Sequence, residues 1–425
     1  MKKGFSTIMS AQFLSSLADN ALFVAAVELL RRGGAPEWHM AALVPMFALF
    51  YVLLAPFVGV FADALPKGRV MFVSNGIKVV GCLMMLFGTH PLVSYAVVGL
   101  GAAAYSPAKY GILTELLPPS LLVKANGWIE GLTIGSIILG VLLGGQLIGP
   151  VVSPWLMSLS IPGLDLGLDT PPAAAIGAIV FIYVAAAVVN LYIPRTDAPL
   201  QPLRGNLMVL VREFAVCNSR LWGDKLGQIS LSTTTLFWGV AGNLRYIVLA
   251  WAAAALGYGT TQASSLVGVV AIGTAVGAVV ASVAMKLDRA TAVIPLGTAM
   301  GVLVIGMVFI NHLWVAVPFL VVVGALGGFL VVPMNALLQH RGHNLMGAGR
   351  SIAVQNFNEQ ACILGLGAFY AGMTMFSLSA FVAITIFGLV VAATMEVIRR
   401  WHRHNLQHHA VEVQRLLVIA RTDGH

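Results

Sequence analysis

The sequence predicts an all-α membrane protein with twelve transmembrane helices in two six-helix bundles. Three observations carry this expectation. The chain of 425 residues is 59% hydrophobic and 9% charged, with a mean hydropathy of +0.90, whereas soluble domains carry about 25% charged residues. Twelve runs approach the roughly 20 apolar residues that cross a bilayer. The basic residues sort to one side of those runs, as membrane topology requires. Too few charges remain to wet a soluble surface, and disorder needs the opposite composition.

Taken in order, the runs lie at Phe5–Leu30, His39–Phe61, Val70–Phe87, Leu92–Leu113, Lys124–Ile148, Pro172–Ile193, Gly227–Ala255, Ala263–Met285, Thr291–Ile310, Leu313–Leu337, Ala348–Phe376 and Leu378–Arg399. They are rich in Gly and Ala, which lets helices approach closely in lipid. None shows the short alternating segments of a membrane β-barrel. With a cytoplasmic N-terminus, all of the 24 Lys and Arg residues fall on the cytoplasmic side except Arg31, Arg32, Lys78 and Arg245. The bias places both termini in the cytoplasm and explains the net charge of +8 without a nucleic-acid partner. The first run is too long for a cleavable signal peptide and lacks a small-residue cleavage site. Cys82, Cys217 and Cys362 face no oxidising compartment, so no disulfide is expected.

The longest polar stretch divides the chain. Residues 1–193 form the first bundle, 194–226 a cytoplasmic linker, 227–400 the second bundle and 401–425 a cytoplasmic tail. Within the linker, Leu207, Leu210, Val211, Phe214, Leu221 and Trp222 recur at helical spacing with Arg204, Arg212 and Arg220 between them. This predicts an amphipathic helix under the bundle. Pro107 and Pro333 close similar Gly/Ala-rich stretches, and the same offset pairs Asp19 with Arg245. Two related six-helix halves are a transporter layout.

Charges at membrane depth cost roughly 2.5–3.5 kcal/mol and mark functional candidates. Asp19, Lys78, Glu130, Arg245 and Glu359 qualify. Asp19 and Arg245 are of opposite sign and could face each other. Glu130 and Glu359 occupy matching helices, the latter ending the polar run Gln355-Asn356-Phe357-Asn358-Glu359. Lys78 is expected to be structural and to snorkel to the cytoplasmic face. His402, His404, His408 and His409 read as solvated imidazoles of a helical tail. No nucleophile–base set, metal cage or phosphate loop is seen, and no His is followed five positions on by Asp. The protein does not read as an enzyme, and no cofactor is expected.

The loop from Gly59 to Arg69, GVFADALPKGR, resembles the cytoplasmic motif of the major facilitator superfamily. That resemblance implies a conformational gate in which Asp63 ends a helix and pairs with a neighbouring base, with Lys67 and Arg69 adding headgroup and loop contacts. Longer runs are similar to the LplT family of bacterial lysophospholipid transporters. They are Ala11-Gln-Phe-Leu-Ser-Ser-Leu-Ala-Asp19-Asn20-Ala-Leu, then Gly99 through Tyr105-Ser-Pro107-Ala-Lys109-Tyr110-Gly-Ile-Leu, then Leu122-Val-Lys124-Ala-Asn126-Gly. In the second half the matching runs are Leu236-Phe-Trp238-Gly, Leu244-Arg245, Val332-Pro333-Met-Asn335-Ala-Leu-Leu-Gln339 and Ala353-Val-Gln355-Asn356.

The resemblance implies a flippase that moves lysophosphatidylethanolamine and lysophosphatidylglycerol from the outer to the inner leaflet of the bacterial inner membrane. A partner acyl-ACP synthetase/lysophospholipid acyltransferase would reacylate them, and the transporter would act as a monomer without obligatory proton coupling. The implied translocation residues are Asp19, Asn20, Tyr105, Lys109, Glu130, Arg245, Asn356 and Glu359. Arg245 would fork to the phosphate and Asp19 would attract an ethanolamine ammonium, while Arg31 and Arg32 would recruit anionic headgroups from the outer leaflet. The competing class is a proton-coupled exporter of amphiphilic drugs, with Asp19, Glu130 or Glu359 as proton carrier.

Overall fold

A computed structural model describes residues 3–116, 119–158, 168–196, 206–346 and 348–422. Among them the chain is helical throughout, with no strand. It divides into two compact units, Met1–Leu207 with Tyr258–Gly268, and Met208–Gly257 with Val269–His425.

The first unit contains α1 (Lys3–Arg32), α2 (Glu37–Leu53), α3 (Ala55–Ala64), α4 (Lys67–Leu86), α5 (Pro91–Leu116), α6 (Pro119–Leu147), α7 (Val152–Ser158) and α8 (Pro171–Leu191). The second contains α9 (Leu207–Gly223), α10 (Gly227–Leu256), most of α11 (Thr260–Ala284), α12 (Ile294–Gly306), α13 (Leu313–Met346), α14 (Ala348–Met375), α15 (Ala380–His408) and α16 (Ala410–Thr422).

Each expected apolar run carries helix, but not always as one uninterrupted span. The second run breaks at Leu54 into α2 and α3, where Pro56 in the first turn of α3 starts a new helix. Eight helices among the described residues are long and apolar enough to cross a membrane, and the bent pair Gly131–Leu147 and Val152–Ser158 makes up to nine. The polar run Gln355–Glu359 dilutes the hydropathy of α14. Shortly after α6 comes the short helix α7, which turns 67° from the axis of Gly131–Leu147.

Small residues set the helix approaches. A Cβ on Gly140 would meet the Leu17 carbonyl oxygen at 2.6 Å, and one on Gly144 the Ala21 carbonyl oxygen at 2.6 Å. This Gly-xxx-Gly face seats α6 on α1. In the second unit a Cβ on Gly301 would lie 2.6 Å from the Ala392 nitrogen, which brings α12 onto α15. Without a hydrophobic drive between helices in lipid, such contacts supply the packing. Helix α9 docks through Cys217 and Leu221 against Leu231, Leu338 and Val354. Helix α16 docks through Val413 against Leu226, Ala290 and Leu337.

Candidate functional site

In the first unit a buried ion pair organises four helices. Ser15 and Asp19 lie one turn apart on α1, and Asn75 and Lys78 share a face of α4. The Lys78 Nζ donates to both Asp19 carboxylate oxygens at 2.8 Å and to Ser15 Oγ at 2.9 Å. An ammonium has three donors, and all three are used. It also sits 5.2 Å from the ring centre of Tyr105 on α5 and 5.5 Å from that of Tyr183 on α8. Tyr183 donates its hydroxyl proton to Asp19 Oδ1 at 2.7 Å, and Ser15 donates to Asn75 Oδ1 at 2.8 Å. A cation over two ring faces and on one carboxylate is satisfied in a medium that would otherwise penalise it.

The pair is lopsided. The Lys78 side chain is 2% exposed and that of Asp19 20%. The cation is sealed while the carboxylate keeps an open edge. Gly101 on α5 permits the seal, since a Cβ there would stand 2.6 Å from the Ser74 carbonyl oxygen and 2.7 Å from Lys78 Cγ.

The structure corrects two expectations here. Lys78 does not snorkel to the cytoplasmic face, because Asp19 offers its ammonium a partner without leaving the interior. Asp19 has its counter-charge within its own unit, in Lys78, where the sequence reading had set it opposite Arg245. Asn20 is buried and donates to the Ser16 carbonyl oxygen at 2.8 Å, a bond within α1. Tyr105 and Lys109 are buried on α5. Lys67 is also buried, its Nζ donating to the Ala62 carbonyl oxygen at 2.8 Å, while Arg69 is exposed. The side chains of Asp63 and Glu130 lie outside the described ones.

At the far end of α1, Glu28 accepts from Arg32 Nε at 2.7 Å and from the Thr260 hydroxyl at 2.5 Å. Arg31 donates to the same Thr260 hydroxyl. Arg31 is thus engaged in a protein contact.

In the second unit Arg245 lies half-buried on α10. Glu359 is buried and accepts from Gln355 Nε2 at 2.8 Å, and Gln355 also donates to Asn335 Oδ1 on α13 at 2.6 Å. Asn356 is half-buried beside them. Asn358 donates to Asn218 Oδ1 on α9 at 2.7 Å and accepts from Trp222 Nε1 at 3.1 Å. A second buried ion pair joins Arg341 Nη2 to Asp224 Oδ2 at 2.6 Å, with Nε on Oδ1 at 3.1 Å. Asp224 Oδ1 also accepts from the Gly227 nitrogen at 2.7 Å, at the start of α10. No group of three or more metal-ligating side chains gathers among the described residues.

Sequence reasoning missed Tyr183, Ser15 and Asn75 around Asp19, and the Asp224–Arg341 pair. The cue for the first was the polar triplet Ser74, Asn75 and Lys78 inside an apolar run of the same bundle. For the second there was no cue, since Asp224 and Arg341 both read as ordinary loop charges.

Long apolar helices in two units, charges buried among them and Gly-mediated packing define a multi-pass membrane protein. A sequence model of the Major Facilitator Superfamily matches residues 8–365, and the chain belongs to that superfamily. Within it, the chain is 38% identical over 404 residues to the lysophospholipid transporter LplT of Escherichia coli O7:K1, covering 95% of this chain and 97% of that protein. The same identity and coverage hold for LplT of Escherichia coli O9:H4. Among solved structures, a bacterial homologue of the human lysosomal transporter Spinster is similar in fold, with a TM-score of 0.63, 15% identity and coverage of 99% of this chain and 98% of that chain. The nucleoside transporter NupG is similar at a TM-score of 0.67 and 13% identity, covering 95% of this chain and 99% of that chain.

Proposed function

We propose that this protein is a lysophospholipid flippase. It carries lysophosphatidylethanolamine and lysophosphatidylglycerol from the outer to the inner leaflet of the bacterial inner membrane by alternating access, with both termini cytoplasmic. The observation that carries the reading is the 38% identity to LplT running across 95% of the chain. The chemistry of the first unit supports it. Asp19 presents a carboxylate edge whose present partner is an alkylammonium, Lys78, so an ethanolamine ammonium is a chemically matched competitor for that edge. Arg245 supplies the forked donor set suited to a phosphate.

Asn20, Tyr105, Lys109, Glu130, Asn356 and Glu359 are assigned to the translocation path. Asp63, Lys67 and Arg69 are assigned to the cytoplasmic gate. The working form is a monomer, and an acyl-ACP synthetase/lysophospholipid acyltransferase consumes the delivered lipid.

The test is uptake of radiolabelled lysophosphatidylethanolamine into spheroplasts lacking their own transporter, with and without a protonophore. Uptake that survives the protonophore and is lost in Arg245→Ala supports the flippase. Uptake abolished by the protonophore turns the reading to a gradient-coupled carrier, and an unimpaired Arg245→Ala variant removes the phosphate role.

A further inference from the structure

Helix α9 is docked on one side only. Phe214, Cys217, Leu221 and Trp222 turn inward, with Phe214 edge-on to Phe357 at 5.2 Å and Trp222 stacked on Trp401 at 6.4 Å. Asn218 is tied to Asn358 of α14. Val209 and Val216 lie on the opposite face, with Met208 to one side of it and Leu207 in the first turn; all four are exposed, Met208 by 70%. Arg212, Arg220 and Glu213 are exposed among them. Arg212 and Arg220 stand two turns apart, about 12 Å along the axis.

An apolar face of this length would be unfavourable in open water. Met208, Val209 and Val216 interleaved with Arg212 and Arg220 form the pattern of a helix lying in a headgroup layer. In sequence the helix stands between α8 and α10, both long and apolar enough to cross a membrane, which places it beside the bilayer surface on this reading. Two arginines against one glutamate select an anionic surface over a zwitterionic one.

We infer that the outward face of α9 binds the anionic headgroup layer of the cytoplasmic leaflet. Its inward face is hydrogen-bonded to the polar run of α14, so lipid charge is read by a helix that contacts the transporter's own polar interior. This inference is independent of which substrate is carried.

The test uses the full-length protein in nanodiscs, with Val216→Cys carrying an environment-sensitive fluorophore. The discs are made of phosphatidylcholine alone or of phosphatidylcholine with phosphatidylglycerol, each containing a lipid quencher near the headgroup. Strong quenching with phosphatidylglycerol is expected, falling as salt is raised. The Arg212→Gln/Arg220→Gln double variant should need a several-fold higher phosphatidylglycerol fraction for half-maximal quenching. Absence of quenching in both discs would overturn the inference, because the face would then meet water or protein. Equal quenching in both, unmoved by the double variant, would overturn the selection for anionic lipid. The label lies on the exposed face, so failure through misfolding is checked by size-exclusion behaviour and by uptake.

Discussion

Substituting either member of the Asp19–Lys78 pair should destabilise the first unit unequally, and substituting both should restore much of the loss. Breaking a buried pair from one side costs about 3–5 kcal/mol, because the survivor is left as an uncompensated charge. The geometry places the two single variants at opposite ends of that range. In Lys78→Met the survivor is Asp19, which keeps the Tyr183 hydrogen bond and a 20% exposed edge to water. Its cost belongs near 3 kcal/mol. In Asp19→Asn the survivor is an ammonium that is 2% exposed, left with a neutral amide oxygen at position 19, the Ser15 hydroxyl and two aromatic faces but no counter-charge. That variant belongs near 5 kcal/mol. The double variant Asp19→Asn/Lys78→Met holds no charge, so it should recover most of the loss. Thermal stability of the purified protein in detergent, followed by fluorescence-detected size exclusion, orders the four proteins. Equal stability of wild type and Asp19→Asn, or a double variant no better than its worse parent, would refute the reasoning. Uptake should fail in the double variant despite its recovered stability, which separates Asp19's proposed role in binding from its role in the fold.

Two further outcomes follow from distances already given. Gly101→Ala places a methyl against Ser74 and Lys78, forcing α4 and α5 apart; overpacking of this kind costs about 1–3 kcal/mol, seen as a lower melting temperature with reduced uptake. Arg341→Lys keeps the charge but loses the two-pronged contact with Asp224, and Arg341→Ala leaves that carboxylate with its backbone donors alone. Stability should therefore fall in the order wild type, Arg341→Lys, Arg341→Ala, measured by the same melting assay, and a lysine variant as stable as wild type would show that the fork contributes nothing.

The helical plan was legible because hydropathy and loop charge are properties of single positions. The run at Phe5–Leu30 and the helix Lys3–Arg32 coincide for that reason. The break at Leu54 was harder to read, since an apolar run looks continuous across a proline that restarts the helix. Asp19 stood out as a lone carboxylate in apolar surroundings, but its partner did not. Lys78 lies 59 residues away, and the two meet only because α1 and α4 both pack on α8 while Gly101 lets α5 close on α4. Asp224 and Arg341 illustrate the same limit from the other side. Arg341 obeyed the rule for cytoplasmic basic residues and Asp224 lay in a polar linker, so neither called for a partner, yet both are buried.

The polar run of α14 has a consequence for biogenesis. Polar and charged positions oppose insertion from the translocon, and Gln355, Asn356, Asn358 and Glu359 lie in the first half of α14 and lower its hydropathy. Its partners are Asn335 on α13 and Asn218 and Trp222 on α9. All three lie earlier in the chain, so the ribosome delivers them first. Helix α14 therefore meets partners that are already synthesised, and variants lacking Asn335 or Asn218 should give a lower yield of folded protein.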